Sequence, residues 1–177
     1  MGYAEWIRRH RRNLGIPFVG VALLLARFDD RYLWLSLFAV GFGEMLRVWS
    51  AGHLQKEKIL TTGGPYRFIR NPLYLGSFFI AIGFSLIAGS IWIWVLVFAY
   101  FALCYIPVVR YEEKFLAQKF PEEYPKYATR VPAFYPTLRI FPHGTTQFSW
   151  RQAIANKEYN AVLGILAGYG YLIFLRS

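Results

Sequence analysis

Residues 63–76, with the sequence GGPYRFIRNPLYLG, place two arginines beside the start of a long apolar run. Proline favours the first position of a helix and asparagine is a good N-cap, so Asn71 is predicted to cap a helix that begins at Pro72. The free N–H groups of that helix end, together with Arg67 and Arg70, could hold a carboxylate or a phosphate. The alternative is a simple helix start whose arginines anchor the chain at lipid headgroups.

A second charged group follows a later apolar run, in RYEEKFLAQKFPEEYPKY at residues 110–127. Arg110 and Glu113 are i,i+3 neighbours on the helix predicted there. Glu112 and Glu113 stand where this helix would leave a membrane, and a paired carboxylate at that place could bind a cation. The alternative is a solvated amphipathic helix, which is the usual meaning of such a charge pattern.

Two ionisable residues, Glu44 and Arg47, lie within or at the edge of another apolar run. Ionisable residues inside a membrane are functional candidates, and these two are expected to pair with each other. His53 follows in a predicted interfacial loop, where a lone histidine is more often structural than a ligand. With three scattered histidines and one cysteine, the sequence predicts no metal site. It also lacks a phosphate-binding P-loop and a hydrolase nucleophile elbow.

Membrane helices are the elements that must position these residues. The chain of 177 residues is 56% hydrophobic, whereas soluble domains are about 45–50% apolar. We predict an all-α, polytopic membrane protein, in which a single domain of residues 1–177 contains five spans. The spans are expected at roughly 14–28, 32–49, 72–88, 91–109 and 159–175. The third and fourth should form a tight hairpin. A cytosolic pocket would be formed by the 50–71 loop and the 110–135 segment.

The basic residues predict the orientation. Seventeen of the 20 Lys and Arg residues fall within residues 8–12, 47–71 and 110–158, and the other three are Arg27, Arg31 and Arg176. The positive-inside rule then places the N-terminus and the active site in the cytoplasm, in a multi-pass protein of a prokaryotic inner membrane. The net charge of +10 could suit nucleic acid or anionic lipid. The long apolar blocks favour membrane lipids, and we expect neither nucleic acid nor an obligate protein partner. No cleaved signal peptide is predicted.

Three stretches of the sequence resemble the isoprenylcysteine carboxyl methyltransferase family, within the membrane methyltransferases that include phospholipid N-methyltransferases. They are FGEMLR, LTTGGPYRFIRNPLYLGSF and EEKFL…FPEEYPKYATRVP, and the resemblance covers about residues 40–132. It implies an enzyme that uses S-adenosylmethionine, releases S-adenosylhomocysteine and has no Rossmann domain. The span at 159–175 lies beyond the resemblance. Asn71 stands where the family usually has histidine.

The resemblance also implies site residues. Cofactor contacts fall on Lys58, Leu60, Thr61, Tyr66, Asn71, Pro72, Leu73, Tyr74 and Glu112, with His53 as a looser candidate. Arg70 or Arg67 suits the cofactor's carboxylate, and Glu112 or Glu113 suits its ammonium or sulfonium. The proposed catalytic residues are Arg110, nearest to the family's acceptor-binding arginine, and Glu113, which could take a proton from an amine acceptor.

The predicted function is methyl transfer to a lipophilic acceptor that arrives through the membrane. An isoprenylcysteine-like carboxylate, a phospholipid amine and a small thiol all remain open as acceptors, so O-, N- and S-methylation do too. One alternative is a sterol-reductase-like membrane enzyme that uses NADPH, because those reductases end in a similar motif. The other is a membrane scaffold without enzymatic activity.

Overall fold

The computed structural model describes residues 2–55, 58–142 and 144–176, which form helices and no strands. The helices are α1 (Tyr3–Leu25), α2 (Leu33–His53), α3 (Pro72–Ile87), α4 (Ile91–Tyr100), α5 (Ile106–Lys119), α6 (Glu123–Ala128), α7 (Trp150–Ala155) and α8 (Tyr159–Arg176). A π-helical turn at Phe101–Tyr105 joins α4 to α5, and 3₁₀ turns occupy Asp30–Tyr32 and Gly64–Arg67. For the described residues, the all-α prediction is confirmed.

The first helix is longer than predicted. It begins at Tyr3 instead of residue 14 and includes the arginine-rich segment. Arginine is a good helix former, so the polar segment continues the helix of the apolar run that follows it. The apolar residues alone therefore predict only the C-terminal part of this helix, Leu14–Leu25.

Glycines bring α2 and α3 into close contact. A Cβ added to Gly43 would lie 2.6 Å from the Gly76 carbonyl oxygen, and one added to Gly76 would lie 2.5 Å from Cγ of Arg47. A Cβ on Gly83 would lie 2.8 Å from the Ser36 carbonyl oxygen. Small residues let helix backbones approach each other without a loss of packing. This contact positions Arg47 against the first turns of α3.

The predicted hairpin between the third and fourth apolar runs is present. Gly89, between α3 and α4, has φ of +57°, a conformation that glycine adopts without steric cost. Further along, Pro107 cannot donate a backbone hydrogen bond to the Leu103 carbonyl. The Tyr3 hydroxyl donates to that carbonyl over 3.0 Å instead. The π-helical turn lies just before this proline, and such turns often occur at functional sites.

Two helical stretches are long and apolar enough to cross a membrane by length and composition, Ile91–Lys119 and Tyr159–Arg176. The segments Leu14–Leu25 and Pro72–Ile87 are apolar but shorter. Large apolar side chains are exposed along several helices, including Leu24, Trp34, Phe38, Ile91 and Phe174. A soluble monomer seldom exposes so much apolar surface, so a membrane environment is the natural explanation. Five spans and a cytoplasmic N-terminus stay predictions.

Candidate functional site

A cavity of about 700 Å³ lies where the ends of α2 and α3 meet α5 and α6. This volume is within the usual range of small-molecule sites. Ten of the thirteen residues predicted from the sequence line it: Leu60, Thr61, Tyr66, Arg70, Asn71, Pro72, Leu73, Tyr74, Glu112 and Glu113. Residues from the 54–71 loop and from the segment after α4 are therefore neighbours in space. Their roles in binding or catalysis stay predictions.

The turn before α3 is held by the segment around and after α6. The Tyr127 hydroxyl donates to the Tyr66 carbonyl over 2.7 Å, and the Arg70 amide donates to the Pro132 carbonyl over 2.9 Å. Arg67 points its Nε–H to the Phe141 carbonyl, 2.9 Å away, and does not line the cavity. Of the two arginines offered for an anionic group, Arg70 is thus the one at the cavity.

The carboxylates at the cavity each have a defined partner. Arg70 Nη1 lies 3.0 Å from Glu113 Oε1 and donates to the Tyr124 hydroxyl over 3.0 Å. The Tyr74 hydroxyl donates to Glu112 Oε1 over 2.9 Å. Glu113 is therefore paired across the cavity with Arg70, although Arg110 is its i,i+3 neighbour on α5. This network fixes both glutamates against the start of α3.

Asn71 has the predicted position but forms different contacts. α3 begins at Pro72, and the Asn71 carbonyl accepts from the backbone amides of Tyr74 and Leu75. Its side chain makes no capping hydrogen bond. Instead, Nδ2 donates to the Ala133 carbonyl over 3.2 Å and lies 3.4 Å from Glu113 Oε1. Asn71 thus bridges the turn to α5 and to the segment after α6, because its donor faces two acceptors there.

Three predicted site residues lie outside the cavity lining. Lys58 and Arg110 are exposed, in a turn and on α5 respectively. His53 is the last residue of α2 rather than part of a loop, and it is buried with Nδ1 3.0 Å from the Trp49 carbonyl oxygen. Gly64, whose φ is +54°, leaves room for its ring, since a Cβ there would lie 2.5 Å from His53 Cε1. The burial and contacts of His53 are therefore those of a side chain that packs between α2 and the turn at Gly64.

Seven tyrosines line the cavity: Tyr66, Tyr74, Tyr100, Tyr105, Tyr111, Tyr124 and Tyr127. Burial raises the pKa of Tyr66 well above its ordinary value, and the charges of Tyr127 and Glu112 contribute in the same direction. Burial likewise raises the pKa of Tyr124 and of Tyr127. These three phenols therefore stay neutral at physiological pH. They offer hydrogen bonds and aromatic faces without adding negative charge.

Sequence reasoning missed the part of the site that comes from the C-terminal segment. Asn156 and Glu158 line the cavity, and Asn156 Nδ2 donates to the Ala51 and Leu54 carbonyls. Glu158 Oε1 lies 2.7 Å from Arg47 Nε, which is closer than the predicted partner Glu44 at 3.8 Å. The sequence feature that could have pointed to Glu158 is its position, as an acidic residue directly before the last apolar run. Within residues 2–55, 58–142 and 144–176, no group of three or more His, Cys, Asp or Glu could hold a metal ion.

The fold and the cavity define a helical, membrane-associated protein with a polar, ligand-sized site near helix ends. The chain belongs to the phospholipid methyltransferase family, whose sequence profile matches residues 32–123. This match confirms the resemblance to membrane methyltransferases. It ends before Tyr124, Tyr127 and Glu158, so part of the cavity wall lies outside the matched region.

Three relatives show similarity over long stretches. A cobalt-zinc-cadmium resistance protein, CzcN, of Cupriavidus metallidurans is 33% identical over 168 residues, with 88% of this chain and 76% of the relative covered. A nickel-cobalt-cadmium resistance protein, NccN, of Alcaligenes xylosoxydans xylosoxydans is 32% identical over 154 residues, covering 80% and 72%. A steroid 5-alpha-reductase, DET2, of Solanum lycopersicum is 29% identical over 108 residues, covering 55% and 42%. No solved structure gives a significant match.

Proposed function

We propose that the protein transfers a methyl group from S-adenosylmethionine to a lipophilic acceptor that enters the cavity from the membrane. The observation that carries this proposal is the convergence of Arg70, Asn71, Tyr74, Glu112 and Glu113 on one cavity. Membership of the phospholipid methyltransferase family supports the same reaction class. The bacterial resistance proteins among the relatives support a prokaryotic membrane as its location.

The charge of the cavity fits this cofactor. S-adenosylmethionine carries an ammonium, a sulfonium and a carboxylate, so it is a net cation. Arg47 and Arg70 line the cavity together with three carboxylates, Glu112, Glu113 and Glu158, which leaves an excess of one negative charge. This excess occurs within a chain of net charge +10. A cation of the size of this cofactor would neutralise it.

Individual residues provide complementary groups. Arg70 lines the cavity, and its buried Nε–H has no hydrogen-bond partner among the described residues. Buried donors are normally paired, so a ligand carboxylate would satisfy this one. Glu112 would hold the ammonium, and the tyrosine rings would lie against the adenine and the positive sulfur. When bound, the cofactor supplies a methyl group on an already activated leaving group, so the chain's own contribution is mainly positioning.

The acceptor would enter from the side of α1 and the π-helical turn. Gly15 of α1, Tyr100 of α4, and Cys104 and Tyr105 of the π-helical turn line this side of the cavity. The last three lie in the Ile91–Lys119 stretch, one of the candidate spans. A lipid tail could therefore stay in the bilayer while its headgroup reaches Tyr74 and Glu112. The cofactor would enter from the opposite, polar side.

A reductase that uses NADPH is the second candidate, because part of the chain is similar to a steroid 5-alpha-reductase. Calorimetry on the purified protein in detergent separates the two candidates. Methyl transfer predicts binding of S-adenosylhomocysteine and none of NADPH. The reverse result would replace the proposal with the reductase, and binding of neither would favour a scaffold.

The acceptor can be identified with membranes that contain the protein and S-adenosylmethionine labelled on its methyl group. Label that is released by mild base indicates an ester, and stable label indicates N- or S-methylation. Membranes without the protein are the control. Absence of any labelled lipid above this control would contradict a lipophilic acceptor.

A further inference from the structure

The segment after α6 carries four large apolar side chains on its surface. We call residues 132–142 the apolar loop. The exposed fractions are 51% for Phe134, 68% for Tyr135, 100% for Leu138 and 51% for Ile140. Single apolar side chains on a surface need no explanation, whereas a group of them marks a surface that meets a membrane or a partner. The apolar loop is therefore a candidate interaction surface.

The apolar loop is hydrogen-bonded to the turn before α3. The Thr137 amide donates to the Phe68 carbonyl over 2.8 Å. The Phe141 amide donates to the Arg67 carbonyl over 3.2 Å, and the Phe141 carbonyl accepts from Arg67 Nε over 2.9 Å. The first two residues of the loop accept hydrogen bonds from the last two residues before α3. The loop therefore lies beside the start of α3 and is held there at both of its ends.

The neighbouring helices indicate what this surface meets. Pro72–Ile87 is one of the apolar helices, and α6 begins at Glu123, shortly after the candidate span Ile91–Lys119 ends. A membrane that contains α3 would have its surface near Pro72. Because the apolar loop is bonded to the residues directly before Pro72, its exposed side chains would lie at the same level. The apolar surface of the bilayer is thus the nearest one that could cover them.

The charge of this part of the chain favours anionic lipid. Residues 124–157 contain five Lys and Arg residues and no Asp or Glu. Arg130 and Arg139 are exposed, and Arg139 stands between Leu138 and Ile140. Basic residues beside a membrane are attracted to anionic headgroups, and an arginine stem can lie along apolar surface while its head stays in water. Tyrosine, as at Tyr135, is enriched at the level of the headgroups.

We propose that the apolar loop inserts its exposed side chains into the headgroup region of an anionic leaflet and so holds the start of α3 at the membrane surface. The inference goes beyond the proposed function and does not depend on any cofactor. Arg70 and Asn71 are bonded to this loop and also line the cavity. The loop would therefore keep the cavity at the level where the membrane meets water.

The test attaches a polarity-sensitive fluorescent probe to the loop through Leu138→Cys, in the full chain reconstituted into vesicles of phosphatidylcholine and phosphatidylglycerol. Part of the phosphatidylcholine carries bromine near the headgroup end of its acyl chains, which quenches a probe only at close range. The probe at position 138 should lose most of its emission. The matched control is Glu122→Cys, an exposed position directly before α6, where the probe should keep its emission. The labelled parent gives the background from Cys104. Ile140→Cys provides a second loop position if the first variant folds poorly.

A second comparison tests the contribution of charge. Vesicles of phosphatidylcholine alone should quench the probe at position 138 less than vesicles that contain phosphatidylglycerol. Arg139→Gln should reduce this difference, because it removes a positive charge between the inserted side chains. Arg27→Gln is the matched control. Arg27 is exposed and its amide donates to the Ala88 carbonyl at the opposite end of α3, so its replacement should leave the difference unchanged.

Several results would overturn the inference. A probe at position 138 that keeps its emission shows that the loop stays in water. Equal quenching at positions 122 and 138 shows that the loop has no special contact with lipid. If the loop is unquenched in vesicles but protected from a water-soluble thiol reagent in cells, a protein covers it instead of lipid. Equal quenching in both lipid mixtures removes the preference for anionic lipid. None of these measurements uses a cofactor, so they stand apart from the test of methyl transfer.

Discussion

Replacing Asn71 by aspartate gives the most direct test of how the turn before α3 is built. If Asn71 acted only as a helix cap, aspartate would be neutral or mildly stabilising, because both residues cap well and a negative charge suits a helix N-terminus. The structure predicts the opposite. The Asn71 amide faces the Ala133 carbonyl at 3.2 Å and Glu113 Oε1 at 3.4 Å, so aspartate would face two acceptors.

The magnitude follows from these distances. Two unit charges 3.4 Å apart repel by about 5 kcal/mol at an effective dielectric constant of about 20. Rotation of the aspartate side chain and the positive charge of the nearby Arg70 both reduce this repulsion. The helix dipole offsets up to about 1 kcal/mol more, because it stabilises a negative charge at the helix N-terminus. Leaving the Ala133 carbonyl without its donor costs about 1–3 kcal/mol more. We therefore expect Asn71→Asp to lower the free energy of unfolding by about 2–4 kcal/mol.

Two measurements on each variant decide the matter, the melting temperature without ligand and the affinity for S-adenosylhomocysteine. Asn71→Asp should lose both stability and affinity. Asn71→Ser is the matched control, since serine caps helices well but cannot form the bridge. Its free energy of unfolding should fall less than that of Asn71→Asp, because it loses the bridging hydrogen bonds without adding a second negative charge. Asn71→His, which restores a donor, should retain binding. An aspartate variant as stable and as tightly binding as the parent would refute the bridging role.

Three further predictions test the cofactor site, the helix contact and the topology. Glu112→Gln should weaken binding of S-adenosylhomocysteine by about one to two decades with an unchanged melting temperature, because a charge-assisted contact contributes about 1.5–3 kcal/mol. Unchanged affinity by calorimetry would remove Glu112 from the site. Gly76→Ala should destabilise the protein by about 1–3 kcal/mol through overpacking against α2. Gly170→Ala is the control and should not destabilise it, because no atom lies within 4 Å of the new Cβ. Equal melting temperatures of the two variants would contradict the close contact between α2 and α3. A cysteine placed at Ser90 should react with a membrane-impermeant thiol reagent from outside the cell, and labelling from the cytoplasmic side alone would invert the predicted orientation.

Local rules were enough for the elements that carry the predicted site. The start of α3 at Pro72 and the hairpin around Gly89 follow from the conformational preferences of proline and glycine. The stretch of residues 58–74 could be assigned to a site because arginine, asparagine and tyrosine cluster beside an apolar run. Their convergence with Glu112 followed from the family resemblance, since the two stretches are about 40 residues apart in the sequence.

Partners that are distant in the sequence could not be predicted. Spacing on one helix suggested Arg110 for Glu113 and Glu44 for Arg47, but Arg70 and Glu158 are the closer partners. An i,i+3 spacing shows only which side chains can meet on a single helix. Which helices face each other depends on contacts such as the one between Gly43 and Gly76, and these are set by the whole fold.

The distribution of charge connects the cavity with the surface. The chain carries +10 overall, yet carboxylates outnumber guanidinium groups at the cavity. The exposed Lys58 and Arg110 belong to the basic surface, which would attract anionic lipid headgroups. A purely anionic group would be disfavoured inside, because Arg47 and Arg70 are ion-paired with glutamates there, although Arg70 Nε–H stays available to the carboxylate of a cationic ligand. A cationic cofactor would instead be attracted by the excess of carboxylates at the cavity. The chain could thus lie at an anionic membrane surface without filling its site with phosphate, which a binding site formed by unpaired arginines would do.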